Sequence, residues 1–244
     1  MHAELHLVDA FTNSPFCGNP AAVCITEKEM DIPWMQSVAA EMNHSETAFL
    51  HRLGDEWSLR WFTPRREIDL CGHATLASAF VIWSTGREDE GSPIRFRTRS
   101  GTLTATRGSS GIAVDFPAVP VTPCDPPSGI EEALGVEVRS SGRTQFDLFF
   151  EVASAADVCT LDPDITALAS LPARGIIVTA AGDVPAYDFV SRFFAPSVGV
   201  PEDPVTGSAH CSLGPYWGER FKKTEMIGFQ CSPRGGSCTG NPQG

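Results

Sequence analysis

Two glycines stand where chemistry could be done on an acidic ligand. Gly72 and Gly207 each open an apolar stretch that reads as a helix, Ala74 to Trp83 after the first and a second run starting near Ser208. Glycine at a helix start lets a ligand come close to the backbone. The N–H groups of the first turn lack helical partners and carry the positive end of the dipole. Two such termini facing each other across a domain cleft would hold a carboxylate, or another anion, without any positively charged side chain. Taken singly, each is an ordinary Gly-containing helix start; the pair points to a site.

The lead-in to each glycine also repeats. Trp61-Phe62-Thr63-Pro64 precedes Asp69-Leu70-Cys71-Gly72-His73-Ala74, and Phe193-Phe194-Ala195-Pro196 precedes Asp203-Pro204-Val205-Thr206-Gly207-Ser208-Ala209. Both read as an aromatic-rich strand, a Pro-containing loop, an acidic residue and a Gly. The spacing differs, 8 positions from Pro64 to Gly72 and 11 from Pro196 to Gly207. The similarity suggests a duplicated domain. Phe116 to Pro127 carries prolines at 117, 120, 123, 126 and 127 and reads as a linker. The expected division is a lobe over 1–118, a linker over 119–128 and a second lobe over 129–244.

The elements that would position these residues follow from pattern. Strands are expected ending at Val8 to Phe11, then at Ala21 to Ile25, Thr47 to Leu53 and Trp57 to Phe62, the last two joined by the hairpin signal Gly54-Asp55-Glu56. Asp31 is a helix cap with Pro33 near the first helical position. Met35, Val38, Ala39 and Met42 form its buried face, and it stops near Asn43-His44. Ile94 to Thr98 and Gly101 to Thr106 are strands; Arg95, Arg97 and Arg99 share one face, read as solvated in preference to an anion site. Beyond the linker come a helix near Ile130 to Leu134, strand Asp147 to Val152, a helix near Pro163 to Leu171, and strands Gly175 to Thr179 and Asp188 to Phe194.

Composition bounds the function. The chain has 244 residues, 42% hydrophobic and 20% charged, with a net charge of −12. That is the profile of a globular protein with one large domain or two smaller ones. The acidic balance repels phosphate backbones and anionic headgroups, so neither nucleic acid nor membrane is an expected partner. No apolar run approaches the roughly 20 residues of a membrane span, and Met1-His2-Ala3-Glu4-Leu5-His6 shows no signal-peptide pattern. The eight cysteines contain no Cys-x-x-Cys and no zinc-like spacing, and read as free thiols of a cytoplasmic protein. Cys231 and Cys238 are the two considered for pairing or metal binding.

Five motifs then carry a resemblance. Asp9-Ala10-Phe11-Thr12, Gly18-Asn19-Pro20-Ala21-Ala22-Val23, Asn43-His44-Ser45-Glu46-Thr47-Ala48-Phe49, Cys71-Gly72-His73-Ala74-Thr75 and Glu202-Asp203-Pro204-Val205-Thr206-Gly207-Ser208-Ala209-His210 resemble, in this order, the phenazine-biosynthesis isomerase (PhzF-like) family. The resemblance implies an α+β, diaminopimelate-epimerase-like fold: two pseudo-symmetric domains, each a curved sheet wrapped around a central helix. It implies a cofactor-free and metal-free isomerase acting on a small carboxylate in the cleft, and a homodimer. The best-known member isomerises dihydro-3-hydroxyanthranilate. By that resemblance the catalytic residues are Glu46, which moves the proton, His73 and Asp203; Gly72, Gly207 and Ser208 bind substrate.

The chemistry asks for such residues. Moving a proton between carbons needs one group that is base and then acid, and a carboxyl in a dry cleft has its pKa raised towards that task. Without the resemblance, Glu46 reads as a strand-end carboxylate, His73 as a turn cap and Asp203 as a turn residue before Pro204. A histidine at a helix N-terminus is disfavoured as a cation.

The same fold supports cofactor-free racemases and epimerases that use a cysteine at each helix start. Cys71 occupies the first place, but Thr206 stands in the second, and a hydroxyl is a poor proton acceptor. Cys211 lies a helical turn too far on. Cys71 therefore reads as a packed thiol. An amino- or hydroxy-acid racemase, and a non-catalytic ligand-binding or interaction module, are the alternatives. Residues after Arg234-Gly235-Gly236 read as loop, where the family's chains continue into strands that rejoin the first domain; an open sheet edge is the expected result.

Overall fold

The computed structural model describes residues 3–108 and 111–241. They divide into two compact units: one of residues 3–10, 20–108 and 111–116, the other of residues 11–19 and 117–241.

In the first unit the elements are β1 (Ala3–Ala10), β2 (Asn19–Thr26), α1 (Ile32–Met42), β3 (Thr47–Leu53), β4 (Glu56–Phe62), β5 (Glu67–Ile68), α2 (Gly72–Ser84), β6 (Ile94–Thr98), β7 (Gly101–Gly108) and β8 (Gly111–Val114). Eight strands form a curved sheet in the order β1-β2-β3-β4-β6-β7-β8, with β5 paired to β4. β2 and β3 run parallel, β3 and β4 antiparallel, β4 and β6 parallel.

The period-two alternation of these strands decides what covers each face. Val23, Leu50, Leu59 and Trp61 point to α2, where they meet Ala74, Ala77, Val81 and Ile82. Cys24, Phe49 and Phe62 point to the other face and meet Met35 and Ala39 of α1. α2 is apolar all round because the sheet wraps it: nine of its residues are buried. α1 is capped as expected, the Asp31 carboxylate accepting the Trp34 N–H at 2.8 Å. Arg95 and Arg97 pair with Glu56, and Arg99 with Glu67 and Asp69, so that face is ion-paired rather than merely solvated.

The second unit contains β9 (Thr122–Pro123), α3 (Ile130–Leu134), β10 (Val138–Arg143), β11 (Asp147–Val152), α4 (Ala155–Cys159), α5 (Ile165–Ala169), β12 (Gly175–Ala181), β13 (Phe189–Ala195), a 3-10 turn (Pro196–Val198), β14 (Val200–Asp203), α6 (Gly207–Phe221), β15 (Met226–Gln230) and β16 (Gly236–Gly240). Its sheet order is β16-β15-β13-β12-β11-β10-β9, with β14 paired to β13. β11 and β12 run parallel, β12 and β13 antiparallel, β13 and β15 parallel. That is the first unit's pattern, strand for strand from β1–β7 to β10–β16. The duplication read from two short segments therefore extends through the topology. α6 takes the place of α2, with Ala209, Leu213 and Trp217 against Phe149, Ile177, Phe189 and Phe193.

β9 lies inside the linker stretch and pairs with β10. Three expectations are corrected. Residues 236–240 are a strand, not a loop, because Met226 to Gln230 offers a ladder that they complete. α6 is not the apolar helix expected; it carries His210, Glu219 and Arg220. Pro215 inside it cannot donate to the Cys211 carbonyl, and the Val119 N–H takes that carbonyl at 3.0 Å instead. Finally, the thiols are not all free: Cys159 and Cys231 are disulfide-bonded, while Cys238 is not paired. Among the described residues no helix is long and apolar enough to cross a membrane.

Candidate active site

Each unit builds its candidate residues around a β-ribbon and the helix that follows it. In the first, Arg60 of β4 forks onto Glu67 of β5, with Nε on Oε1 at 2.7 Å and a terminal nitrogen on Oε2 at 2.8 Å. In the second, Arg192 of β13 grips Glu202 of β14 at the same two distances, 2.7 and 2.8 Å. Bidentate pairs of this kind fix geometry as well as adding energy. Arg60 and Arg192 each stand one residue before the aromatic pair of the repeat, just outside the pattern that marks it. The clamp fixes the short strand whose loop delivers the chain to Gly72 or Gly207. Neither cap residue, Cys71 or Thr206, bonds the first turn through its side chain.

At the head of α2 the structure gathers Glu46, His73 and Cys71. His73 Nε2 lies 3.4 Å from Glu46 Oε2 and 3.4 Å from Ser45 Oγ, and its Nδ1 lies 3.5 Å from Cys71 Sγ. Glu46 reaches this place because α1 ends at Met42, Asn43 turns the chain in the left-handed region, and β3 begins at Thr47. His73 is 5% exposed. Burial, and secondarily the charge of His44, push its pKa down to about 3. The imidazole is therefore neutral at ordinary pH, so its approach to Glu46 is not an ion pair. The neutrality expected from the helix dipole thus has burial as its main cause. Cys71 is packed in the core, 7% exposed, but it also touches the histidine, so it is more than filler.

The ligand atoms of Glu46, Cys71 and His73 lie within 4.8 Å of one another, the spacing of a metal-ligating group.

In the second unit Asp203 ends β14. Its Oδ2 accepts the Thr206 hydroxyl at 2.5 Å and its Oδ1 accepts the Asn19 amide at 2.9 Å. Burial raises its pKa to about 6, against the lowering effect of these two donors and of Arg174. Thr206, the residue matching Cys71, spends its hydroxyl proton on this carboxylate. Ser208, in the first turn of α6, accepts from Arg174 at 3.1 Å, and Arg174 is forked onto Asp147 at 2.9 and 2.6 Å. A cationic side chain therefore does stand beside this helix start, contrary to the expectation of an anion site made from backbone alone. Arg174 lies in an irregular turn before β12, and no pattern in the sequence marks it. Asn19 was visible in the Gly-Asn-Pro motif but not as a partner of Asp203. The loop that carries it is tied down by Arg234, whose guanidinium donates to the Gly18 carbonyl at 2.9 Å. At Gly236 a Cβ would fall 2.6 Å from Val205 and 3.0 Å from the Phe11 carbonyl, which explains the glycine there.

A family model described as phenazine biosynthesis-like protein matches residues 8–239. The chain belongs to that family. A protein of Halalkalibacterium halodurans named an uncharacterized isomerase is 49% identical over 97% of this chain and 89% of its own length. The crystal structure of a phenazine biosynthesis PhzF-family protein from Enterococcus faecalis superposes with a TM-score of 0.92, at 44% identity, over 97% of this chain and 90% of that one. A probable proline racemase of Agrobacterium radiobacter matches over 95% of this chain and 83% of its own with a TM-score of 0.61 at 10% identity, a likeness of fold alone. The phenazine biosynthesis-like chain described here is an isomerase with the epimerase-like α+β fold anticipated from its motifs.

Proposed function

We propose that this isomerase moves a proton between carbon atoms of a small carboxylate substrate, without a cofactor, and that Glu46 carries the proton. The observation that supports this reading is the Glu46 carboxylate held at 3.4 Å from a buried, neutral His73. A carboxylate accepts a proton from carbon and returns it; a neutral imidazole N–H beside it orients the acceptor without neutralising it as a cation would. His73 and Asp203 share the acid–base work. Gly72, Gly207 and Ser208 bind substrate through the unpaired N–H groups of their helix starts, whose dipoles favour an anion. The protein works as a cytoplasmic homodimer.

The test uses dihydro-3-hydroxyanthranilate and a panel of small ring carboxylates in deuterated water. The wild type incorporates deuterium into the isomerised product. Glu46→Gln lowers that rate by roughly 100-fold or more. Exchange at the wild-type rate in Glu46→Gln overturns the assignment.

A second reading is favoured by the contact of Cys71 with His73 Nδ1: a thiol as proton carrier in racemisation. Thr206 speaks against it, because the matching position in the other unit holds a hydroxyl already committed to Asp203. Cys71→Ala separates the two, abolishing a thiol-dependent reaction and sparing one driven by Glu46.

A further inference from the structure

We propose that Gln230 is a positioning residue for Asp203: its carboxamide closes the turn Asp203–Thr206 and aims the Thr206 hydroxyl at the Asp203 carboxylate. The inference rests on the reading of Asp203 as a group of the reaction.

Gln230 is the last residue of β15 and is fully buried, at 0% exposure. Its Oε1 accepts the Thr206 N–H at 2.9 Å, and its Nε2 donates to the Asp203 carbonyl at 2.6 Å. One carboxamide thus satisfies a donor at one end of the turn and an acceptor at the other, as a neighbouring strand would. Nε2 also faces Thr206 Oγ1 at 3.3 Å. A threonine hydroxyl has a single hydrogen. With an N–H of Gln230 approaching its lone pairs, that hydrogen is directed to Asp203 Oδ2, where the distance is 2.5 Å. Asn19 holds the other oxygen. The carboxylate is therefore fixed on both sides, on one through a relay that begins at Gln230.

The frame behind the glutamine is itself fixed. The Cys231 N–H donates to the Ser191 carbonyl at 2.9 Å, Cys231 is bonded to Cys159, and Ser232 Oγ donates to the Pro204 carbonyl at 2.7 Å. The charged groups acting on Asp203 are Arg174, which favours its ionised form, and Glu202, which opposes it. Gln230 adds no charge, so its influence runs through geometry alone. Glutamate in its place would keep the acceptor for Thr206 and lose both donors; methionine would keep the shape and lose all three bonds.

The experiment is a carbon-13 NMR titration of the Asp203 side-chain carboxyl in the full chain, assigned with Asp203→Asn, and the pH profile of deuterium exchange with dihydro-3-hydroxyanthranilate. In Gln230→Met the Asp203 midpoint rises by about one pH unit, because a donor to the ionised form is no longer aimed. The matching limb of the rate profile moves the same way. Gln230→Asn, which stays uncharged but is one methylene too short to bridge the turn, moves the midpoint upward as well, and it decides alone if Gln230→Met does not fold. A midpoint within about 0.2 of the wild type in a folded variant overturns the proposal and leaves Gln230 as filler. If the midpoint moves while Asp203→Asn exchanges at the wild-type rate, Gln230 positions Asp203 as stated, and the functional reading of Asp203 is what fails.

Discussion

The raised pKa of Asp203 makes a measurable claim about stability. Burial lifts it to about 6 from an ordinary 3.8. Between those values the folded chain holds a proton that the unfolded chain has released. The stability linked to that proton is therefore fully present below about pH 3.8 and is lost as pH rises through about 6. A gap of about two pH units, at about 1.4 kcal/mol each, corresponds to about 3 kcal/mol. Asp203 keeps partial exposure, and solvent screening brings the expected figure to about 2 kcal/mol. Asp203→Asn cannot take up the proton, so the advantage of wild type over variant grows by about 2 kcal/mol from pH 7 to pH 4. Comparing the two proteins at each pH cancels the other titrations. Among these is His73, which acts in the opposite sense: its contribution is present above its ordinary 6.5 and fades as pH falls towards about 3. Urea unfolding at several pH values, followed by two probes with a shared slope, provides the measurement. A difference that stays flat between pH 4 and pH 7, or grows in the other direction, refutes the argument that burial dominates the environment of Asp203.

Two further outcomes concern the scaffold. Arg192→Met strips the partner from the Glu202 carboxylate and from the Leu161 carbonyl, which Arg192 also holds at 2.6 Å; unfolding in urea shows a loss of about 3 kcal/mol, and a loss below about 1 kcal/mol contradicts the clamp. Cys159→Ser opens a link between residues 72 apart and lowers stability by about 4 kcal/mol through the freedom returned to the unfolded chain; a melting temperature unchanged in the variant, and in wild type under reductant, removes the disulfide from the account.

Much of the architecture was legible because strong local signals agreed. The Asp31 cap, the Gly54-Asp55-Glu56 hairpin and the apolar run after Gly72 each act within a few residues, and each gave an element close to its observed place. β10, with Ser140, Ser141 and Gly142, and β15, with an internal Gly228, lack the β-branched alternation that marks a strand and were missed. The two-residue strands β5 and β9 are too short to carry a pattern. Glu46 and His73 were named through a resemblance, while their mutual approach needed the fold. Asn19, Arg174 and Gln230 share a cause for being overlooked: each acts on a partner far along the chain, and no spacing encodes that. The Cys159–Cys231 bond is the same case, since cysteine count does not give connectivity.

Residues 11–19, up to and including the first residue of β2, belong to the second unit although β1 and the rest of β2 belong to the first. Asn19 meets Asp203 across 184 positions, and Arg234 meets Gly18 across 216. A fragment cut at Pro117 would thus lack the amide on Asp203 and leave Arg234 without its anchor, so gene dissection at that boundary yields an incomplete lobe. On the ribosome the early loop must wait for nearly the whole polypeptide before it can dock. Glu46 and His73 are made early, but Asp203 gains its contacts with Gln230 and the loop held by Arg234 only once those residues have emerged, so a prematurely terminated product carries the first proposed residues without the environment of Asp203.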